Sequence, residues 1–189
     1  MNYRIEEINE LVRREPQKLV DDSDKDYAAR IVHAADMICA NMSICPVVLL
    51  SGPSGAGKTT TAKRIETELE RRGINSHTIS MDNYFKTLDL RTCPRTPEGE
   101  VDYESPNLLD MDLLNEHFDA LSRGEEVRVP YFMFARQKRS ASQFTPLRLQ
   151  KNEVAIFEGI HALNDAITDK TPNAFKLYIS AVSETVFPD

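Results

Sequence analysis

The chain has 189 residues, 41% of them hydrophobic and 28% charged, a mix that fits one compact globular domain and argues against wholesale disorder. A formal net charge of −7 and a pI near 5.2 disfavour a general nucleic-acid binder, which presents a basic face. No run approaches the ~20 apolar residues of a membrane span, Met1–Glu10 carries Arg4, Glu6, Glu7 and Glu10 where a signal peptide has an apolar block, and Cys39, Cys45 and Cys93 form no C-x-x-C pair, so a reducing cytoplasm without disulfide framework or structural zinc is expected.

The first forty-odd residues read as helical. Ile5, Ile8, Leu11 and Val12 recur at helical spacing, and Pro16 ends that run. A second helix is expected to open near Asp24 as its N-cap, with Ala28, Ile31, Val32, Ala35 and Ile38 on one stripe, and to close at Asn41 and Pro46. From Pro46 the pattern changes to short apolar runs alternating with longer amphipathic ones. Strands are expected at Pro46–Ser51, Ile74–Met81, Val127–Tyr131, Val154–Phe157 and Phe175–Ser180. Helices are expected at Lys58–Arg72, stopped by Gly73, and at Leu108–Arg123, stopped by Gly124. This alternation predicts an α/β fold, a three-layer sandwich around a mostly parallel sheet. The organisation expected is an N-terminal helical segment over residues 1–45 and one domain over 46–189.

The strongest local signal is Gly52-Pro53-Ser54-Gly55-Ala56-Gly57-Lys58-Thr59, which fits G-x-x-x-x-G-K-[ST] between a strand and a helix. Each part suits a polyphosphate. The glycines let backbone N–H groups turn inward around phosphate oxygens. The following helix, which runs on through Thr60, offers its unpaired first-turn donors and the positive end of its dipole. Lys58 reaches the β and γ phosphates, and the Thr59 hydroxyl can ligate Mg²⁺. A nucleotide-binding loop follows, with ATP and Mg²⁺ as the expected ligands. No N-K-x-D guanine-reading motif is present, which disfavours a GTPase.

Two acids stand at predicted strand ends, where ligands gather in open α/β sheets. Asp82, in Ser80-Met-Asp-Asn-Tyr-Phe85, could accept the proton of an acceptor hydroxyl; a turn-forming or helix-capping Asp is the plainer alternative. Glu158, in Val154-Ala-Ile-Phe-Glu-Gly159, could hold Mg²⁺ or be an ordinary strand-end acid. The cluster Arg136, Lys138, Arg139 reads as a solvated loop, or as a contact for phosphate on donor or acceptor. His161, after the Glu-Gly pair, could line the site, with a structural histidine as the plainer alternative, and His33, His77 and His117 have no partner legible in the sequence.

From about Val47 to Ser180 the residues resemble the uridine kinase/phosphoribulokinase group of P-loop kinases, closest to a bacterial uridine-kinase-like subgroup. The resemblance rests on ordered features: the phosphate loop, Met81-Asp-Asn-Tyr-Phe85, Val101-Asp-Tyr-Glu-Ser-Pro106, Leu113-Leu-Asn-Glu-His-Phe118, Val129-Pro-Tyr-Phe-Met-Phe134 and Phe157-Glu-Gly-Ile-His161. It implies that Asp82 is the catalytic base toward a ribose 5′-hydroxyl, with Lys58 at the phosphates and Thr59 and Glu158 at the metal. It implies that Phe85, Tyr103 and Glu104 line the nucleoside site, Glu104 holding ribose hydroxyls, that Phe132, Phe134 and Gln137 lie where the family packs and hydrogen-bonds the pyrimidine, and that Arg139, which also matches a family position, belongs to the acceptor site. Phe85, Phe132 and Gln137 depart from the Tyr, Tyr and His common at those places, and Tyr103-Glu104 from a Phe-Asp pair. Such exchanges change which base edges can be read.

The resemblance thus implies ATP- and Mg²⁺-dependent phosphorylation of a nucleoside, most of all uridine or cytidine. The partners implied are a small-molecule nucleoside acceptor and a nucleoside triphosphate donor, without nucleic acid or membrane; relatives are often homo-oligomeric. The alternatives are a kinase of another small alcohol such as a sugar phosphate, and a non-catalytic nucleotide-binding regulator. Family members continue past the last strand into an arginine-bearing lid, whereas this chain ends at Val186-Phe-Pro-Asp189. Retained phosphate binding with weak turnover is the corresponding expectation, since arginines of this kind contribute roughly 10³–10⁵-fold in rate.

Overall fold

The structure is a computed structural model, and it describes residues 5–180. The expected C-terminal stretch Val186-Phe-Pro-Asp189 therefore lies outside the described residues. In chain order the elements are α1 (Ile5–Arg14), α2 (Pro16–Asn41), β1 (Val47–Ser51), α3 (Lys58–Glu70), β2 (Asn75–Ser80), α4 (Met111–Ser122), β3 (Val127–Met133), β4 (Lys138–Leu147), β5 (Glu153–Glu158), α5 (Asp165–Thr168) and β6 (Phe175–Tyr178).

Four strands form a parallel sheet in the order β2-β5-β1-β6. Parallel strands cannot be joined by a tight turn, and α3 supplies the crossover from β1 to β2, on the far side of β5. All five residues of β1 are buried, as expected for a strand covered on both faces. Its side chains alternate between two cores. Val47 and Leu49 join Phe157, Ile79 and the α4 residues Leu114, Phe118 and Leu121 on one face. Val48 and Leu50 join Ile156, the α3 residues Ile65 and Leu69, and Ile31, Ala35 and Ile38 of α2 on the other. The result is helix, sheet and helix in three layers, as the alternation predicts.

Three local expectations need correction. The second helix begins at Pro16, so Asp24 sits inside it and caps nothing. Pro is well suited to the first helical turn, where its fixed φ fits and its missing N–H is not needed; the same residue that ends α1 therefore starts α2. The helix expected from Leu108 starts at Met111, because the Asp110 carboxylate caps it by accepting from Leu113 N. The third concerns Lys138 and Arg139, which are not loop residues. They open β4, which pairs antiparallel with β3 in a separate two-stranded sheet. The register of that hairpin shifts between Pro130 and Phe132, consistent with proline's inability to donate to a ladder. The stops at Gly73 and Gly124 stand as expected, both with φ of +73°.

Candidate active site

The phosphate loop connects the buried β1 to α3. Gly55 and Gly57 have φ of +74° and +88°, a region that favours glycine. Gly52 is required for a different reason, since a Cβ there would lie 2.4 Å from the backbone oxygen of Ile179. Gly57 stands at the N-cap of α3 with no side chain to accept from the helix, so the first-turn donors remain available to an anion. Lys58 Nζ donates to the carbonyls of Gly52 and Pro53, both at 3.0 Å, which folds the ammonium over the loop. Thr59 Oγ1 donates to Glu158 Oε1 at 3.2 Å.

Strand register brings the acids to this loop. Glu158 is opposite Leu50 on one side and Ser80 on the other, so β5 places it between the loop after β1 and the turn after β2. That turn, Met81–Tyr84, is capped by Ser80, whose hydroxyl accepts from Asp82 N. The capping alternative for the Asp82 side chain is thereby met by another residue. Asp82 is open to solvent on one side, and the protein around the rest of it raises its carboxyl above the usual range; the charges of Lys58 and His161 oppose that rise. Glu158 is raised for the same reason, desolvation, with the Thr59 bond and Lys58 acting against it and the Asp82 charge adding to it.

Gly159 lets the Asp82 turn pack closely on the end of β5. A Cβ at this position would meet Met81 Cβ at 2.9 Å, and Met81 is fully buried. The Asp82 turn therefore rests directly on the end of β5. Gly159→Ala is expected to lower stability by about 1–3 kcal/mol through overpacking and to displace Asp82. Denaturant unfolding checks the first effect and phosphoryl transfer the second.

Beside Asp82 lies a wall of four rings. Phe85, Phe132 and Phe134 meet edge-on at centroid distances of 5.0–6.0 Å, and Tyr103 leans on Phe85 and Phe134 at 6.0 and 6.2 Å. Phe85 and Phe132 are buried, whereas half of Phe134 remains exposed, offering a stacking face. Gln137, with φ of +49° at the hairpin tip, donates from Nε2 to the Tyr103 hydroxyl at 2.9 Å. The Glu104 side chain is exposed beside this pair.

Arg139 faces inward from that wall. Its guanidinium bridges Asp110 Oδ2 and the carbonyl of Tyr84, both at 2.9 Å, and so braces the Asp82 segment against the α4 cap. Arg136 and Lys138 are exposed. Two histidines without a partner legible in the sequence have partners here: His117 Nδ1 shares a 2.9 Å bond with the buried Tyr84 hydroxyl, and His77 lies 3.3 Å from Glu153. Burial lowers the His117 pKa and raises that of Tyr84. His161 Nε2 meets the carbonyl oxygen of Glu104 at 2.8 Å. No sequence signal marks that contact, because its partner is a main-chain atom 57 residues away. Asp110 could have been found as an acid three residues before the apolar run of α4.

Among curated proteins, the chain is 33% identical over 116 residues to a uridine kinase of Halobacterium salinarum, a match covering 61% of this chain and 48% of that protein. It is 36% identical over 124 residues to a uridine kinase of Vibrio campbellii, covering 64% and 55%. The chain thus spans about half the length of the curated relatives it matches. In fold it is similar to a possible uridine kinase of Bacillus stearothermophilus, with a TM-score of 0.59 at 20% identity over 79% of this chain and 81% of that one. A Silicibacter protein assigned as a fructose transport system kinase gives 0.58 at 23% identity, over 72% and 65%. The model of the Phosphoribulokinase / Uridine kinase family matches residues 47–187, which take in the phosphate loop, Asp82, the ring wall and Glu158, and the chain belongs to that family.

Proposed function

We propose that this chain carries out ATP-dependent phosphorylation of the 5′-hydroxyl of a nucleoside, with uridine or cytidine as the acceptor. The observation that carries the reading is the convergence of Lys58, the Thr59–Glu158 pair and Asp82 on the ends of three adjacent strands, with the ring wall alongside. The matched curated relatives named as uridine kinases support the acceptor class.

The donor phosphates are received by Gly52–Thr60, through the loop N–H groups and the start of α3. Lys58 leaves the Gly52 and Pro53 carbonyls for the phosphate oxygens, exchanging two neutral acceptors for charged ones. The base stacks on the exposed face of Phe134, and Glu104 accepts from ribose hydroxyls. Asp82 takes the proton of the attacking hydroxyl. Catalysis here consists of positioning and charge stabilisation.

The site suits Mg²⁺. Thr59 and Glu158 present hard oxygen ligands 3.2 Å apart, the donor chemistry that Mg²⁺ takes. When bound, Mg²⁺ supplies charge neutralisation across the phosphates.

The test is ATP consumption against uridine, cytidine, other nucleosides, ribulose 5-phosphate and pantothenate. Turnover with pyrimidine nucleosides is expected. Turnover with ribulose 5-phosphate alone would replace the reading with a sugar-phosphate kinase, which the exposed Arg136 and Lys138 beside the ring wall would serve. ATP bound without turnover of any acceptor would leave a nucleotide-binding regulator.

A further inference from the structure

The segment from Lys86 to Ser105 carries Tyr103 and Glu104 and is folded mainly on itself. Thr96 N donates to Glu100 O, Asp102 N to Pro94 O, and Arg95 bridges Val101. Its ties to the rest of the protein are unequally distributed. Toward the β3–β4 hairpin there are three: Leu88 N donates to Gln137 O at 3.1 Å, Gln137 Nε2 to the Tyr103 hydroxyl, and Arg139 N to Thr87 Oγ1. That hairpin is a sheet of its own, with no ladder to the main sheet. Among the described hydrogen bonds, the tie from this segment to the β5 side is the contact of His161 with the Glu104 carbonyl.

We propose that His161 is a positioning residue for the acceptor: by donating from Nε2 to Glu104 O it locks the Tyr103–Glu104 segment to the strand end that carries Glu158. A carbonyl oxygen only accepts, so Nε2 carries the proton in this contact. Without it, the segment keeps its hairpin bonds, the bonds at its two ends from Lys86 N to Leu108 O and from Leu108 N to Ser105 O, and the packing of Leu88, Val101 and Tyr103 on the core, but the Glu104 main chain loses its direct hold on the β5 end, so Tyr103 and Glu104 can shift relative to the phosphate loop. With it, the acceptor surface and the phosphate loop share one frame, the condition for in-line attack, in which small displacements are costly. His161 is three residues beyond Glu158 and close enough to Asp82 for their charges to interact, so the lock sits where the two halves of the site meet. The inference rests on the reading of Tyr103 and Glu104 as acceptor residues given above.

The test compares the whole chain with His161→Phe, which keeps a ring but has no donor, and His161→Gln, whose amide nitrogen can replace Nε2. His161→Ala serves if the Phe variant does not fold. Two readouts are taken: the rate of tryptic cleavage after Arg91 and Arg95, both exposed in this segment, and the acceptor KM, ATP KM and kcat. The Phe variant is expected to be cleaved about fivefold faster and to raise the acceptor KM about fivefold, the weight of one net hydrogen bond. ATP KM is expected to be unchanged, and the Gln variant to return both values to within about twofold of the parent. Unchanged cleavage in the Phe variant overturns the lock. A fall in kcat at constant acceptor KM, not restored by Gln, overturns positioning in favour of direct contact with the reacting groups. If the parent chain turns over no acceptor, the kinase reading fails, and the cleavage rates alone decide whether His161 holds the segment.

Discussion

Replacing Asp82 by Asn is expected to cut acceptor-dependent phosphoryl transfer by about 10²–10⁴-fold, the usual range for a positioned general base, while nucleotide affinity changes little. The amide keeps the size of the side chain and the Ser80 cap of the turn, so what is lost is the ability to take a proton. Transfer assayed beside nucleotide binding separates the two, and equal activity in both proteins removes the base assignment. The pH dependence has a definite sign. Burial raises the Asp82 pKa above the 3.8 of a free aspartate, so kcat/KM should fall on the acid side at a higher pH than an exposed aspartate would give.

Stability should move in the opposite direction. A carboxyl with a raised folded pKa holds its proton more tightly folded than unfolded, so its ionisation opposes folding above the unfolded pKa. Between the two pKa values, stability falls as pH rises. Asp82→Asn is therefore expected to melt at a higher temperature than the parent near neutral pH, the gap closing as pH drops toward 3.8. Thermal melts across that range check it. A catalytic group held at the expense of stability is the pattern expected where function sets the residue.

Lys58→Ala is expected to weaken ATP binding by about 10–100-fold, on the basis of one or two hydrogen bonds to charged oxygens. The ammonium already lies over the loop, bonded to Gly52 and Pro53 carbonyls, so little rearrangement is needed to meet the phosphates. Turnover should fall as well, because the same charge offsets charge on the phosphoryl group in transit. Calorimetric titration with a non-hydrolysable ATP analogue measures the affinity directly. Unchanged affinity would mean that the phosphates do not lie along Gly52–Thr60.

How much of this is legible in the sequence depends on where each signal resides. The phosphate loop is local and its residues act through their own backbone, so eight consecutive letters suffice. β1 and β5 are legible because strands buried on both faces read as continuous apolar runs. β4 is not, because nearly all of Lys138–Pro146 is exposed or half-buried, and a strand with little to bury lacks the alternation that marks one. Its Arg and Lys then read as a charged loop. The start of α2 is misread for a different reason, since Asp24 is a good cap chemically but the chain is already helical from Pro16. Arg139 illustrates the limit for site residues. Its place in the family motif is visible, yet its inward pairing with Asp110 and Tyr84 depends on a fold that brings together positions 29 and 55 residues apart.

The register of the main sheet has a consequence for how this site tolerates change. Leu50, Glu158 and Ser80 occupy one rung across three adjacent strands, and neighbouring strands in any sheet are about 4.8 Å apart. The interval between the phosphate loop, Glu158 and the start of the Asp82 turn is therefore ruled by peptide geometry, which every sequence shares, and only finely adjusted by side chains. Substitutions among the Val, Leu and Ile residues beneath should drain stability long before they move one reacting group relative to another. Phe132, Phe134 and Gln137, by contrast, are carried on a hairpin outside that ruled lattice. The hairpin end of the candidate site can then diverge while the strand ends that hold Glu158 and the phosphate loop stay in gauge.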